Sequence, residues 1–229
     1  MKTLNTFLIF IVVSIQSFSQ ADYNNFLKYY GVQINTGITF FDLQPLKDNF
    51  RYTVENFNRN YNLPLQIQKS YPANISWGAN VFWYINQRAS IVIGTEYTSS
   101  RAFSLYEDYS GTLDLKSEIK MYYLYIGFRF HIVETPIVQP FMGMNVGLAK
   151  ADIDLEVDLN ISNSLIKEND HSENSDTGYN IEPYIGCNYN LDFVVLEFVA
   201  SYNTVHLEKF LIEPNTFNIK LGVKVGVFK

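Results

Sequence analysis

The chain is poor in cysteine, in charge and in long apolar runs. Cys187 is the one cysteine among 229 residues, so no disulfide forms within the chain. Alone on a patterned segment, it reads as small apolar filler rather than as a nucleophile. Charged residues make up only 17%, with acids in excess for a formal net charge of −6. An acidic surface repels phosphate backbones, which argues against a nucleic-acid partner. Beyond the first twenty residues, nothing approaches the roughly 18 consecutive apolar residues that a spanning helix requires. If the chain crosses a membrane, it does so as strands.

What is abundant is apolar and aromatic side chains, 47% and 16% of the residues, in a chain whose length suits one domain. The start reads as an export signal: Lys2 supplies the positive end and Phe7–Val13 a short apolar stretch. Ser17 and Ser19 place small residues before a cut that starts the mature chain at Gln20. The expectation is a cleaved signal peptide over 1–19, preferred to an uncleaved anchor because the apolar run is short. No cysteine sits at the cut, which argues against a lipoprotein.

The mature sequence repeats one pattern, apolar and polar residues in strict alternation, the period of a strand with two different faces. Phe217, Ile219, Leu221, Val223 and Val225 alternate with Asn218, Lys220, Gly222 and Lys224. The same alternation marks segments at about 31–40, 74–85, 89–98, 122–132, 138–148, 179–189 and 194–202. Three connections are short (Asn86 to Arg88, Val133 to Pro136, Asn190 to Asp192). They alternate with four longer ones: Asp42 to Ala73, Ser99 to Thr112, Ala149 to Gly178 and Thr204 to Thr216. Short periplasmic turns alternating with long external loops, on an even strand count, predict an all-β, eight-stranded antiparallel up-and-down transmembrane β-barrel. Lipid then meets the apolar face, and closure satisfies every backbone group. The barrel domain is expected over 31–229, after a periplasmic segment over 20–30.

Two stretches lie outside the pattern. Leu46 to Tyr61, with Phe50, Val54, Phe57 and Tyr61, fits a short amphipathic helix as well as a loop. Ile153, Leu155 and Val157 alternate with Asp152, Asp154, Glu156 and Asp158, so the fifth strand is expected to continue above the membrane, with Leu113, Leu115 and Ile119 on an opposing limb. Apolar positions are even-numbered below and odd-numbered above on both limbs, which predicts a β-bulge at the membrane surface.

With strands and loops laid out, the chain resembles the small outer-membrane β-barrel family typified by OmpX and the barrel part of OmpA, in the version common in Bacteroidetes-type bacteria. The closing run containing Gly222, Val223, Val225, Val227 and Phe228 is similar to the terminal signal read by the barrel-assembly machinery, although Lys229 follows the aromatic. The resemblance implies an outer-membrane location, contact with outer-membrane lipid, and handling by that machinery during biogenesis. It does not imply one activity, because such barrels host adhesins, lipid enzymes, conduits and secretion accessories.

Six charged residues fall on the inward parity: Glu96, Arg129, Glu182, Glu197, Lys220 and Lys224. A barrel of eight strands is filled by its own side chains, so these charges are expected to pair as a plug rather than to serve as an ion gate. Among the histidines (His131, His171, His206), only His206, with Glu208 and Ser201, suggests a catalytic trio near one rim. The acidic stretch from Asp152 to Asp176 lacks the Asp-x-Asp-x-Asp-Gly spacing of a calcium loop and reads as a solvated external loop. Phe103, Tyr106, Tyr109 and Phe210 are expected to cap the mouth more than to form a partner surface. The reading is a non-enzymatic outer-membrane barrel without cofactor, with external loops for structural, interaction or adhesion roles. Its alternatives are a narrow or laterally opening conduit, a secretion accessory, and a lipid-modifying enzyme of the outer leaflet.

Overall fold

A computed structural model of the protein describes residues 30–61, 64–85, 88–108, 111–132, 137–161, 167–191, 194–209 and 213–226, without the side chains of 61, 159–161, 167–171 and 226. The expected signal peptide, the cut before Gln20, and Val227 and Phe228 lie outside the described residues. Among the described residues there are nine strands and one helix: β1 (Tyr30–Asp42), α1 (Gln44–Tyr61), β2 (Gln66–Lys69), β3 (Asn74–Tyr84), β4 (Ala89–Asp108), β5 (Gly111–His131), β6 (Val138–Ile161), β7 (Lys167–Leu191), β8 (Val194–Leu207) and β9 (Asn215–Gly226). Tyr30, expected in the preceding segment, already belongs to β1.

Eight strands form a closed antiparallel ring in the order β1-β3-β4-β5-β6-β7-β8-β9, and β1 seals it against β9 from Gly31↔Gly226 to Asp42↔Asn215. Alternation decides which face lies inside. Along β5, Tyr123, Tyr125, Arg129 and His131 are buried, while Leu124, Ile126 and Phe128 are 58%, 52% and 50% exposed. In water such a surface would aggregate; around a closed ring it is a lipid belt. The outward residues from Tyr122 to Ile132, at about 3.3 Å each and a tilt of about 40°, rise roughly 25 Å, the height of the apolar band in membrane barrels. Aromatic pairs mark the upper border: Tyr97 with Tyr122 at 5.0 Å between ring centroids, and Phe40 with Phe217 at 6.1 Å. The molecule is a transmembrane barrel of the outer-membrane type, with its short connections at one end and its extensions at the other.

Above the belt, two of the expected loops are strand. Ser99 to Asp108 is the upper part of β4, paired with the start of β5 from Gly111, in unbroken register from Ala89↔Phe130 to Asp108↔Gly111. Ala149 to Ile161 is the upper part of β6 and Lys167 to Gly178 the upper part of β7, paired in a register that runs from Val138↔Tyr189 to Asn160↔Lys167. Together they raise a sheet β2-β4-β5-β6-β7 whose β6 limb stands roughly 30 Å above the belt.

The expected bulge is absent. The β5–β6 register runs without a shift from Gly111↔Ile161 to His131↔Phe141. Odd residues of β5 point inward from end to end, so the pleat never changes. What changes is the solvent outside. Within the lipid the apolar residues face out; above it Leu113, Leu115 and Ile119 turn to the core, and Lys116 and Lys120 face water. The parity switch in the sequence is a change of medium along one regular strand.

Between β1 and β3 the helical alternative holds. Leu46, Phe50 and Val54 recur at helical spacing and are buried, and Phe57 packs half-buried beside them. Pro45 sits in the first turn, where its missing N–H costs nothing. Asn58 at the far end donates to the Leu65 carbonyl at 3.1 Å and accepts from the Leu65 N–H at 2.9 Å, folding the chain back into β2. β2 covers part of the free edge of β4, with a register shift between Ile67 and Lys69.

Candidate functional site: the filled bore and the external sheet

From the short-turn end upward, the bore is occupied at every level. Its floor is aromatic: Phe82 and Phe141 are buried, and His131 lies 5.6 Å from Tyr84 and 5.8 Å from Phe141 between ring centroids. These inward rings follow from parity alone, Phe82 sharing the face of Asn80 and Phe141 that of Gly143.

Above the floor, Glu197 collects three donors. Arg129 reaches it at 2.5 and 3.2 Å, Gln33 donates at 2.7 Å, and Lys224 closes an ion pair with it. Lys224 also donates to Asn188 Oδ1 at 2.9 Å. The guanidinium of Arg129 stacks 4.2 Å from the Phe141 ring centre, a cation–π contact that fixes it laterally. Higher up, Lys220 bridges two carboxylates, Glu96 at 2.5 Å and Glu182 at 2.6 Å. Ser201 and Asn145 donate to the free positions of Glu182 at 2.7 and 2.8 Å.

All six inward charges therefore lie inside the wall, in two groups, and their formal charges sum to zero. Gln33, Asn145, Asn188 and Ser201 complete the groups, a role visible beforehand only as inward polar parity. Near the two groups is a cavity of about 20 Å³, lined by Tyr125, Arg129, Glu182, Glu197 and Lys220 among others. That is room for about one water molecule.

A bore this narrow accepts such long side chains because glycine stands opposite them. A Cβ on Gly143 would meet the Tyr184 ring at 2.4 Å, and one on Gly94 would meet the Tyr125 ring at 2.8 Å. The inward glycines that punctuate the sequence are spaces for neighbours.

The upper bore is apolar. Leu115, Ile119, Met121, Ala151 and Val205 are fully buried, and α1 with Leu43, Leu65 and Tyr71 packs over them as a cap. The cap is pinned by hydrogen bonds: Tyr71 donates to Ser117 at 2.6 Å, Ser100 to the Pro72 carbonyl at 2.7 Å, and Ser104 to the Gln66 carbonyl at 2.9 Å. Tyr71 has a φ of 44°, a left-handed conformation uncommon for a bulky residue and held by its buried ring.

The remaining sequence candidates scatter. Ser201 points into the bore toward Glu182, whereas His206 lies on the outer face, stacked 5.1 Å from Tyr179 and 3.7 Å from Glu213. The proposed trio with Glu208 is not assembled, because residues five apart on a strand face opposite sides. Tyr106 packs against the cap core and donates to Asp108 at 2.6 Å, while Phe103 is half-buried beside β2. Tyr109, Phe210 and the side chain of His171 lie outside the described residues.

The outward face of the external sheet is a ladder of ion pairs: Lys116–Asp114 at 2.8 Å, Lys120–Asp154 at 2.5 Å, Lys150–Asp152 at 2.9 Å and Arg101–Glu118 at 3.3 Å. Burial pushes the Asp152 carboxyl up, but hydrogen bonds from Lys150 and Ser175 outweigh it and hold the group below its ordinary 3.8. The hydrogen bond to Asp154 raises Lys120 above its ordinary 10.5. A lowered carboxylate contributes above its ordinary value and loses that contribution as pH falls through its folded value. A raised lysine contributes below its ordinary value and loses that contribution as pH rises through its folded value. The ladder is thus braced between 3.8 and 10.5. Hydrogen exchange in upper β5 and β6, corrected for intrinsic rates, is expected to accelerate modestly as pH drops below that window, since exposed pairs are individually weak. Equal corrected rates at pH 7 and at pH 2 would show that the ladder contributes nothing.

No protein-family model matches the chain, and no curated protein does. Among solved structures, the chain is similar to the Neisserial surface protein A, at 12% identity over 87% of this chain and 97% of that one, with a TM-score of 0.44. It is likewise similar to Ail, the attachment invasion locus protein of Yersinia pestis, at 13% identity over 86% and 97% of the two chains, TM-score 0.45. A third similar structure is the N-terminal β-barrel domain of OprF from Pseudomonas aeruginosa, at 15% identity over 86% and 97%, TM-score 0.34.

Proposed function

We propose that the protein is a non-enzymatic outer-membrane barrel that passes nothing through its bore and works through the sheet and cap standing above the membrane. The observation behind this reading is the continuous filling of the bore: an aromatic floor, two ionic groups whose charges cancel between them and an apolar plug beneath α1. A gate needs charges that can exchange partners around a water column. Here Glu182 and Glu197 already accept from three or more donors each, beside space for about one water. The serine and the histidine that suggested enzymatic chemistry lie on opposite faces of β8, which speaks against that trio as a catalytic site. The lipid belt and the expected export signal support an outer-membrane location, and the barrel-assembly machinery is the partner during biogenesis.

In planar bilayers the purified protein is expected to give no discrete conductance steps above background. A reproducible single-channel current would overturn the plug. Affinity capture from native outer membranes then separates a free-standing barrel, recovered alone, from a subunit of a secretion apparatus.

A further inference from the structure

The upper border of the lipid belt carries a row of outward rings on three neighbouring strands. Trp77 of β3 lies opposite Tyr97 of β4, and Tyr97 opposite Tyr122 of β5. The two tyrosine rings are 5.0 Å apart between centroids and inclined at 43°. That is near the short end of the range of about 4.5–7 Å for aromatic pairs. Tyr122 is 41% exposed and Tyr97 half-buried. On β6, Lys150 stands opposite Tyr122 with its ammonium 5.8 Å from the ring centre, and the next rung up pairs Ser99 with Lys120. The two phenols therefore sit where lipid gives way to water, within reach of small dissolved molecules, while the β4–β5 ladder holds them side by side.

We propose that Tyr97 and Tyr122 are a site of oxidative modification, coupled by a one-electron oxidant from outside into a dityrosine that staples β4 to β5. Each phenol gives up one electron and its hydroxyl proton. The two phenoxyl radicals form one carbon–carbon bond between ring positions next to the oxygens, and the ring hydrogens at those positions pass to the oxygens as new hydroxyl protons. Two hydrogen atoms leave in all. With hydrogen peroxide as the final oxidant, its O–O bond breaks and they end in two water molecules. Radicals on separate molecules must meet by diffusion, whereas these two rings are already in contact, the advantage of any preorganised pair. Residues directly opposite on paired strands keep their Cβ atoms about 4.5–5.5 Å apart, so coupling takes side-chain rotation and no break in the ladder. Other outward tyrosines are set differently. Tyr179 lies opposite Leu148 and His206, Tyr189 opposite Val138 and Leu196, and Tyr202 opposite Phe217.

The test exposes the protein in zwitterionic nanodiscs to hydrogen peroxide and a small haem catalyst, then digests it with trypsin. The expected product joins residues 89–101 to residues 121–129. Its mass is the sum of the two peptides less two hydrogens, its fragments place the bond on Tyr97 and Tyr122, and it shows dityrosine fluorescence. Tyr97→Phe and Tyr122→Phe keep the rings and the barrel, and each should lower the yield of joined peptide by about tenfold or more, since coupling then depends on encounter. Trp77→Phe, next in the row, should leave the yield nearly unchanged. Two results overturn the proposal. One is no joined peptide at an oxidant dose that already consumes Tyr52, 64% exposed on α1. The other is coupling that falls as often on Tyr52, Tyr179, Tyr189 or Tyr202, or between molecules, as on Tyr97 and Tyr122.

Discussion

Lys220→Met is expected to cost about 3–5 kcal/mol of barrel stability, the usual loss when one partner of a buried ion pair is removed and the other stays charged. Lys220 holds Glu96 and Glu182 on either side of one ammonium, at 2.5 and 2.6 Å. Methionine keeps the length of the side chain and removes the charge, leaving two carboxylates facing each other across the bore. Urea unfolding in lipid vesicles reads the change, with Trp77 and Trp83, 57% and 64% exposed on the belt, as native reporters of the lipid contact. The triple change Lys220→Met, Glu96→Gln, Glu182→Gln should recover most of the loss, because no unpaired carboxylate remains at that level of the bore. If Lys220→Met alone stays within about 1 kcal/mol of the parent, water reaches the site and the bore is not a dry plug.

The second large effect separates the two media along one strand. Ile126 and Ile119 lie on β5, seven residues apart and on opposite faces, Ile126 being 52% exposed on the belt and Ile119 fully buried under the cap. Ile126→Lys is expected to cost about 2–4 kcal/mol, the penalty of a lysine near the middle of the lipid face. Ile119→Ala should cost about 2–5 kcal/mol through the cavity it leaves. Glu173→Lys, outward but above the belt and exposed, should stay within about 0.5 kcal/mol of the parent. The same titrations rank all three. If Ile126→Lys were as benign as Glu173→Lys, the exposed apolar surface would not be facing lipid.

The barrel strands were legible because each alternates between two media, and alternation is what a single sequence displays most clearly. From Tyr122 to Ile132 the alternation alone fixes which residues face inward and which outward. The upper limb of β7 could not: Lys167 to Thr177 is polar on both faces, so no periodicity marks it as strand, and its pairing with β6 alone defines it. Upper β4 failed differently. Ser100, Ala102 and Ser104 are small inward residues beneath the cap, and small residues give no hydrophobic signal however deeply they lie. The change of parity on β5 was visible, but a regular strand leaving lipid for water writes the same pattern as a bulge.

Among the charges, parity placed Glu96, Arg129, Glu182, Glu197, Lys220 and Lys224 on the inner face, and no pattern could say which meets which. Glu197 and Arg129 are 68 residues apart, Lys220 and Glu96 are 124 apart, and only the closure of the ring brings them within reach. The sequence by itself determined a sheet with one greasy and one polar face, its short and long connections, and thus a cylinder in lipid, because each follows from neighbours two residues apart. Only the fold in three dimensions set the partners inside the bore, the helical cap over it and the pairing of upper β7 with β6, because these depend on which distant segments the closed ring sets side by side.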